Sequence, residues 1–231
     1  LLEGVDVFVE KPATTRSADT EKLHRLATDH ARIFMVAFNR RYAPLYRKAK
    51  ELFAGKKIQK CVIQKHRPGI KPRALPGTYL DDTIHQIDLM RFFCGEVTPI
   101  STVFHQVEGH LRSAVSVGGL EEGGLGVIST SREAGMWTEN VAVHGENPSV
   151  FVSAFRELRV RFKEHEEVYG ADRAGRWMPQ LKERGFEGEV EHFIDCIQDR
   201  SMPETNGMDS VKTQKLMEGF VGVARQTKPV N

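Results

Sequence analysis

The sequence predicts an α+β protein: an open, mostly antiparallel sheet with helices on one face, preceded by the last βαβ unit of a doubly wound α/β (Rossmann) domain. Three observations predict it. Two short, nearly unbroken apolar runs, Val5–Val9 and Ile33–Phe38, flank a helical segment, the form of a parallel βαβ unit buried on both sides. From Val97 to Tyr169 the chain reads as strand after strand, split by glycines. Two amphipathic helices then close it.

The first strand, Val5–Val9, ends at Glu10-Lys11-Pro12. Ser17 has a helix-capping side chain, and Leu23, Leu26, Ala27 and His30 recur at spacings of three and four up to about residue 31. After the second strand, Pro44 suits the first turn of a helix that Gly55 ends. Residues 1–55 therefore read as the tail of a doubly wound domain with only two of its strands. The chain opens Leu1-Leu2-Glu3-Gly4, without Met, and enters a strand almost at once, as though cut within a domain.

Residues 56–231 have a different character. Ile58–Arg67 is a longer strand, followed by a loop holding Pro68, Gly69, Pro72, Pro76 and Gly77. A helix from Leu80 to Cys94 is ended by Gly95. Within the strand-rich stretch, Gly118-Gly119, Gly123-Gly124 and Gly145-Glu146-Asn147-Pro148 read as breaks, and Val141, Val143, Val150 and Val152 alternate across the last as in a hairpin. The closing helices carry apolar stripes, Phe186, Val190, Phe193, Ile194 and Ile197 in one, Leu216, Met217, Phe220, Val221 and Ala224 in the other.

With 40% hydrophobic residues the chain can bury a core, which excludes disordered and fibrous classes. Its 33 basic and 31 acidic residues leave a net charge of +2, too little field to gather nucleic acid or an anionic membrane. Cys61, Cys94 and Cys196 form no CxxC pair, so the expected setting is reducing and cytoplasmic. No apolar run approaches the roughly 20 residues of a membrane span.

Two constellations can carry chemistry. Glu10-Lys11-Pro12 stands at the carboxyl end of a strand, where open α/β sheets bind ligands, and a residue before proline is held extended. Lys11 there offers a charge and three donors, although an isolated Lys-Pro is more often a solvated strand end. Asp81 and His85 stand four apart, so a helix stacks them on one face. A carboxylate beside an imidazole raises its pKa and makes a general acid/base pair. The bland alternative has Asp81 and Asp82 complementing the helix N-terminus and His85 in the core. Asp81, His85 and Asp88 could also be read as metal ligands, but no second cluster supports a metal.

Weaker candidates are Glu189-x-x-His192, which lacks the second copy a bundle metal site needs, and the basic stretch Lys65-His66-Arg67 with Lys71 and Arg73. Such a stretch is usually a solvated loop, and it could orient an anionic substrate group. No G-x-G-x-x-G or G-x-S-x-G occurs.

In order along the chain, these features resemble the Gfo/Idh/MocA family of NAD(P)-dependent oxidoreductases. Asp6-Val7-Phe8-Val9-Glu10-Lys11-Pro12 is similar to the family's strand ending in Glu-Lys-Pro. Val36-Ala37-Phe38-Asn39-Arg40-Arg41-Tyr42-Ala43-Pro44 is similar to its Gly-Phe-x-x-Arg-Phe-x-Pro segment, with Ala37 in place of glycine. Leu80-Asp81-Asp82-Thr83-Ile84-His85-Gln86-Ile87-Asp88-Leu89 resembles its Asp-x-Gly-x-His-x-x-Asp-Leu helix, with Thr83 in place of glycine. Gly188–Asn231, with Phe193-Ile194-Asp195-Cys196-Ile197 and Pro203, resembles its closing helices.

The resemblance implies that residues 1–55 are the C-terminal remnant of a dinucleotide-binding Rossmann domain and 56–231 a substrate-binding and oligomerisation domain. It implies a hydride passed between the nicotinamide of NAD or NADP and a carbinol carbon of a sugar, cyclitol or similar polyol. It casts Lys11, Asp81 and His85 as catalytic, with Asp81 orienting His85. Glu10, Lys11, Pro12, Arg40 and Arg41 would lie along the cofactor, with no metal. A homodimer or homotetramer through the exposed sheet face is implied as well. The family's phosphate-binding fingerprint would lie before Leu1, so this chain alone is expected to bind no NAD(P). A redox-neutral, NAD-dependent glycoside hydrolase and a non-catalytic scaffold are the alternative readings of the same fold.

Overall fold

The computed structural model describes residues 1–69, 73–170 and 180–227. Its N-terminal part is the βαβ unit the sequence predicts. Strand β1 (Val7–Glu10), helix α1 (Ser17–Asp29) and strand β2 (Phe34–Ala37) follow in order, and β1 pairs in parallel with β2 from Val7↔Phe34 to Glu10↔Ala37. Strand β2 is buried throughout, but Val7 and Val9 are only half-buried, because β2 is the one strand partner of β1 among the described residues. Ala27, Phe34, Val36 and Phe38 form a small core with Ile84.

Ser17 is not the cap of α1 but its first helical residue. Glu218, some 200 residues away in sequence, does the capping: the Ser17 backbone N–H donates to its Oε1 at 2.8 Å and the Ser17 hydroxyl to its Oε2 at 2.6 Å. A carboxylate there satisfies otherwise orphaned N–H groups and meets the positive end of the helix dipole.

A 3₁₀ turn, Asn39–Tyr42, leads into α2 (Pro44–Glu51), which starts at Pro44 as expected. This helix and the turn after it place Tyr46, Ala49 and Phe53 in the core of the larger sheet. The division expected at residue 55 thus does not coincide with the division between the two cores.

Among the described residues that larger sheet has nine strands: β3 (Ile58–His66), β4 (Val97–Val107), β5 (His110–Leu120), β6 (Leu125–Ser131), β7 (Thr138–Gly145), β8 (Ser149–Ser153), β9 (Glu157–Arg161), β10 (Glu166–Gly170) and β11 (Ala224–Gln226). Their order is β10-β9-β8-β7-β3-β6-β5-β4-β11, antiparallel except at β3–β6 and β4–β11. Val141 faces Val152 and Val143 faces Val150, the predicted hairpin. Gly124, at φ +104°, makes a turn that only glycine adopts without strain. Gly118-Gly119, however, lie inside β5 rather than in a turn. A Cβ at Gly118 would meet Val97 at 2.5 Å and Phe220 at 3.3 Å, so the residue is small to admit its neighbours.

One face of this sheet is covered by helices. The segment predicted as a single helix from Leu80 is two pieces, a π-helical turn (Tyr79–Thr83) and α4 (Ile84–Cys94), ended by Gly95 at φ +75°, and a short helix, α3 (Leu75–Thr78), precedes them where a loop is expected. After α5 (Gln180–Glu183) and α6 (Phe186–Asp199), α7 (Gly207–Gly222) buries Leu216, Met217 and Phe220 as its stripe predicts. The stripe on α6 behaves differently. Val190 and Ile194 are exposed, Phe193 stacks on Phe8, and the buried positions are Glu189 and Cys196. On the opposite sheet face Ile100, Val103, Val107 and Val115 stand exposed, with no helix over them among the described residues.

Candidate active site

The end of β1, the π-helical turn, the end of β3 and the segment between β6 and β7 meet around an open cleft of about 890 Å³, a volume suited to a small molecule. Glu10 and Lys11 enter it from β1, whose Lys11–Pro12 bond is cis. The Lys11 Nζ donates to the backbone carbonyl of Asp81, tying the strand end to the π turn. Burial lowers the Lys11 pKa, against the pull of Asp81 and Asp82.

The π turn decides which acid faces the cleft interior. Its i→i+5 bonding winds fewer degrees per residue than an α-helix, so the 3.6-residue period does not carry through it. Asp81 stays exposed, and its carboxylate accepts from Arg73 Nη1 at 2.6 Å rather than from His85. The expected Asp81–His85 pair is therefore not formed. Asp82 turns inward instead. It accepts from Lys65 Nζ at 2.7 Å, from Arg67 Nη2 at 2.8 Å and Nε at 3.1 Å, and from Arg132 Nη1. Burial by itself would raise its carboxyl, but Lys65 and Arg67 hold it far below the usual carboxylate range. Burial and the nearby Arg40 push the Lys65 ammonium down to about 8.

His85 sits beside this cluster, its ring edge-on to Phe38 at 6.3 Å. Burial, reinforced by Arg40, Lys65 and Lys11, holds its pKa well below 6.5, the reverse of the rise expected from a carboxylate partner. The imidazole is neutral at pH 7, and its Nδ1 is buried with no hydrogen-bond partner among the described residues. A neutral imidazole lining the cleft can take a proton from a hydroxyl bound within its hydrogen-bond reach.

Arg40 lines the cleft from below and is bonded bidentately to the fully buried Glu139, Nε–Oε1 2.6 Å and Nη2–Oε2 2.8 Å. Arg41 is not in the cleft. It is buried against Asp88 and Asp209, at 2.6 and 2.8 Å, where it ties α4 to α7. Asp88 is thereby committed to Arg41, with Thr213 donating to it as well, and does not converge with Asp81 and His85. Glu189 and His192 do not act together. Glu189 is buried and its carboxyl is pushed up to about 8, first by burial and then by Glu10, whereas His192 Nε2 accepts the Glu204 backbone N–H at 3.0 Å. Lys71 and Pro72 lie outside the described residues. Asp82, Arg132, Trp137 and Arg184 are cleft residues that sequence reasoning did not single out, and Glu139, buried behind Arg40, is a further one that supports the cleft.

Residues 71–231 match a family model described as the oxidoreductase family C-terminal alpha/beta domain. The chain is 31% identical to a putative oxidoreductase, YceM, of Salmonella typhimurium over 220 residues, 94% of this chain and 70% of that one. It is 28% identical to a myo-inositol 2-dehydrogenase of Thermotoga maritima over 222 residues, 88% of this chain and 65% of that one. The chain thus spans about two thirds of the length of these curated relatives. A crystal structure of a dehydrogenase (MviM) from Clostridium difficile superposes with a TM-score of 0.86 at 26% identity, covering 95% of this chain and 71% of that one.

Proposed function

The chain belongs to the Gfo/Idh/MocA oxidoreductase family, and from that membership we propose that its cleft is where a hydride moves between a nicotinamide and a carbinol carbon of a sugar, cyclitol or similar polyol. The observation that carries this reading is His85, a neutral imidazole lining the same cleft as the Lys11 ammonium.

On oxidation the substrate C–H loses a hydride, the O–H loses a proton, and a carbonyl is left. His85 takes that proton. Lys11 donates to the same oxygen and stabilises the negative charge that builds on it. Asp81 acts through its backbone carbonyl, which aims Lys11, rather than through its carboxylate. NAD or NADP would supply the hydride acceptor, its nicotinamide end meeting Glu10, Lys11, Pro12 and the Arg40 side of the cleft. The fit is to that end alone, since the sequence holds no phosphate-cradling glycine motif. Arg41, committed to Asp88 and Asp209, is left out of the cofactor set.

The same reading takes residues 1–55 as the end of a dinucleotide-binding domain and 56–231 as the substrate-binding and oligomerising part. It takes the bare sheet face, with Val103 opposite Val115, as the surface of a homodimer or homotetramer. No helix among the described residues is long and apolar enough to cross a membrane, and the free cysteines fit a cytoplasmic setting.

The test is turnover of NAD(P)+ with a panel of sugars and cyclitols by the full polypeptide that carries this chain. Lys11→Ala and His85→Ala are each expected to lower it at least a hundredfold. A loss below fivefold in both would remove them from the mechanism.

A further inference from the structure

The cleft walls carry more positive charge than chemistry at a carbinol carbon uses. Asp82 alone faces three cations, Lys65, Arg67 and Arg132. Arg40 is cancelled by Glu139, Asp81 by Arg73 and, within the lining, Lys11 by Glu10. Arg184, also lining the cleft, lies over the Trp137 ring at 5.9 Å and makes no ion pair among the described residues. Two cations are thus in excess at Asp82, and Arg184 adds a third to the lining of the same cleft. The whole chain has a formal net charge of only +2, less than the excess gathered in this cleft.

Resting on the redox reading for the identity of the cleft, we propose that the substrate taken here carries an anionic substituent, a carboxylate or a phosphate, and that Arg67 with Arg132 receives it. Arg67 is the more accessible of the two, with 40% of its side chain exposed, and it spends only Nε and Nη2 on Asp82. A guanidinium fork matches both anions in plane and bonds them with charge assistance. Asp82 holds the two guanidinium groups in place before binding, which reduces the ordering cost of gripping the anion. A neutral polyol would displace water from these cations and leave their charge unpaired. The depressed pKa of His85 has Arg40, Lys65, Lys11 and Arg67 among its causes, which is the same positive potential seen from its other side.

The probes are acetate and inorganic phosphate, titrated into this chain at constant ionic strength held with sodium chloride, with the Arg Nε–Hε resonances followed by NMR. Saturable shifts of the Arg67 and Arg132 signals are expected, and their absence up to tens of millimolar in both arms would overturn the proposal. Arg67→Met, checked for folding by thermal unfolding, is expected to weaken binding at least tenfold, and unchanged affinity would also overturn it. The stronger of the two arms tells carboxylate from phosphate. Turnover by the full polypeptide on glucose, glucuronate and glucose 6-phosphate separates the two readings. Oxidation of the neutral sugar in preference to both charged ones would sink the anion site and leave the redox function standing. Saturable anion shifts without turnover of any sugar or cyclitol would sink the redox function and leave the anion site.

Discussion

Replacing Glu139 with Gln should cost the fold about 3 kcal/mol, because it strands a buried guanidinium. Glu139 is fully buried on β7 and receives both arms of Arg40, whose side chain is only 9% exposed, and the hydroxyl of Tyr46 also reaches it. The amide keeps the shape and part of the hydrogen bonding but removes the charge. Arg40 cannot escape by losing its proton, since burial is outweighed by Glu139 and the guanidinium is held more basic than usual. Breaking one side of a buried pair costs about 3–5 kcal/mol, whereas replacing both sides with apolar residues of similar volume is close to neutral. At a urea m-value near 2.5 kcal/mol/M, a 3 kcal/mol loss lowers the unfolding midpoint by about 1.2 M. The variants to compare are Glu139→Gln, Arg40→Met, and the double Arg40→Met with Glu139→Leu. The double should recover to within about 1 kcal/mol of the native chain. A single-variant loss below about 1 kcal/mol, or a double worse than both singles, would refute the argument that this pair is held by mutual neutralisation.

Glu189 gives a pH test. Its folded carboxyl titrates near 8 against an ordinary 4.5, so the folded state keeps a proton that the unfolded chain releases. The stability it contributes is full below pH 4.5 and is lost as pH rises to about 8. Glu189→Gln should therefore match the native chain near pH 4.5 and exceed it by roughly 2–3 kcal/mol at pH 7; thermal unfolding with the same pH slope in both proteins would count against it. On the bare sheet face, Val115→Glu should shift micromolar protein from dimer or tetramer to monomer in sedimentation velocity, with little change in melting temperature. A native chain that already sediments as a monomer would dispose of that interface.

What the sequence disclosed and what it hid divide along one physical line. Features set by neighbours in the chain were legible. The apolar runs named the parallel pair β1–β2, the valine alternation named the β7–β8 hairpin, and Pro44 and Gly95 marked where helices start and stop. Features set by a partner far along the chain were not. Ser17 looks like a cap until Glu218 arrives from α7, and nothing around Glu139 announces that Arg40, 99 residues earlier, needs it.

The adjacent acids Asp81 and Asp82 are the instructive case. A 3.6-residue period gives the face to Asp81, but within the π turn, which that period does not describe, it is Asp82 that is buried. One clue was within reach. On β3 the inward positions run Cys61, Ile63, Lys65, so period-two alternation alone puts a lysine in the core. A buried ammonium needs a carboxylate, and the two acids opening the next helix are the nearest candidates along the chain. Following Lys65 inward narrows the choice to that pair, and the structure selects Asp82. The choice of catalytic neighbour for His85 would then have turned on charge and not on spacing.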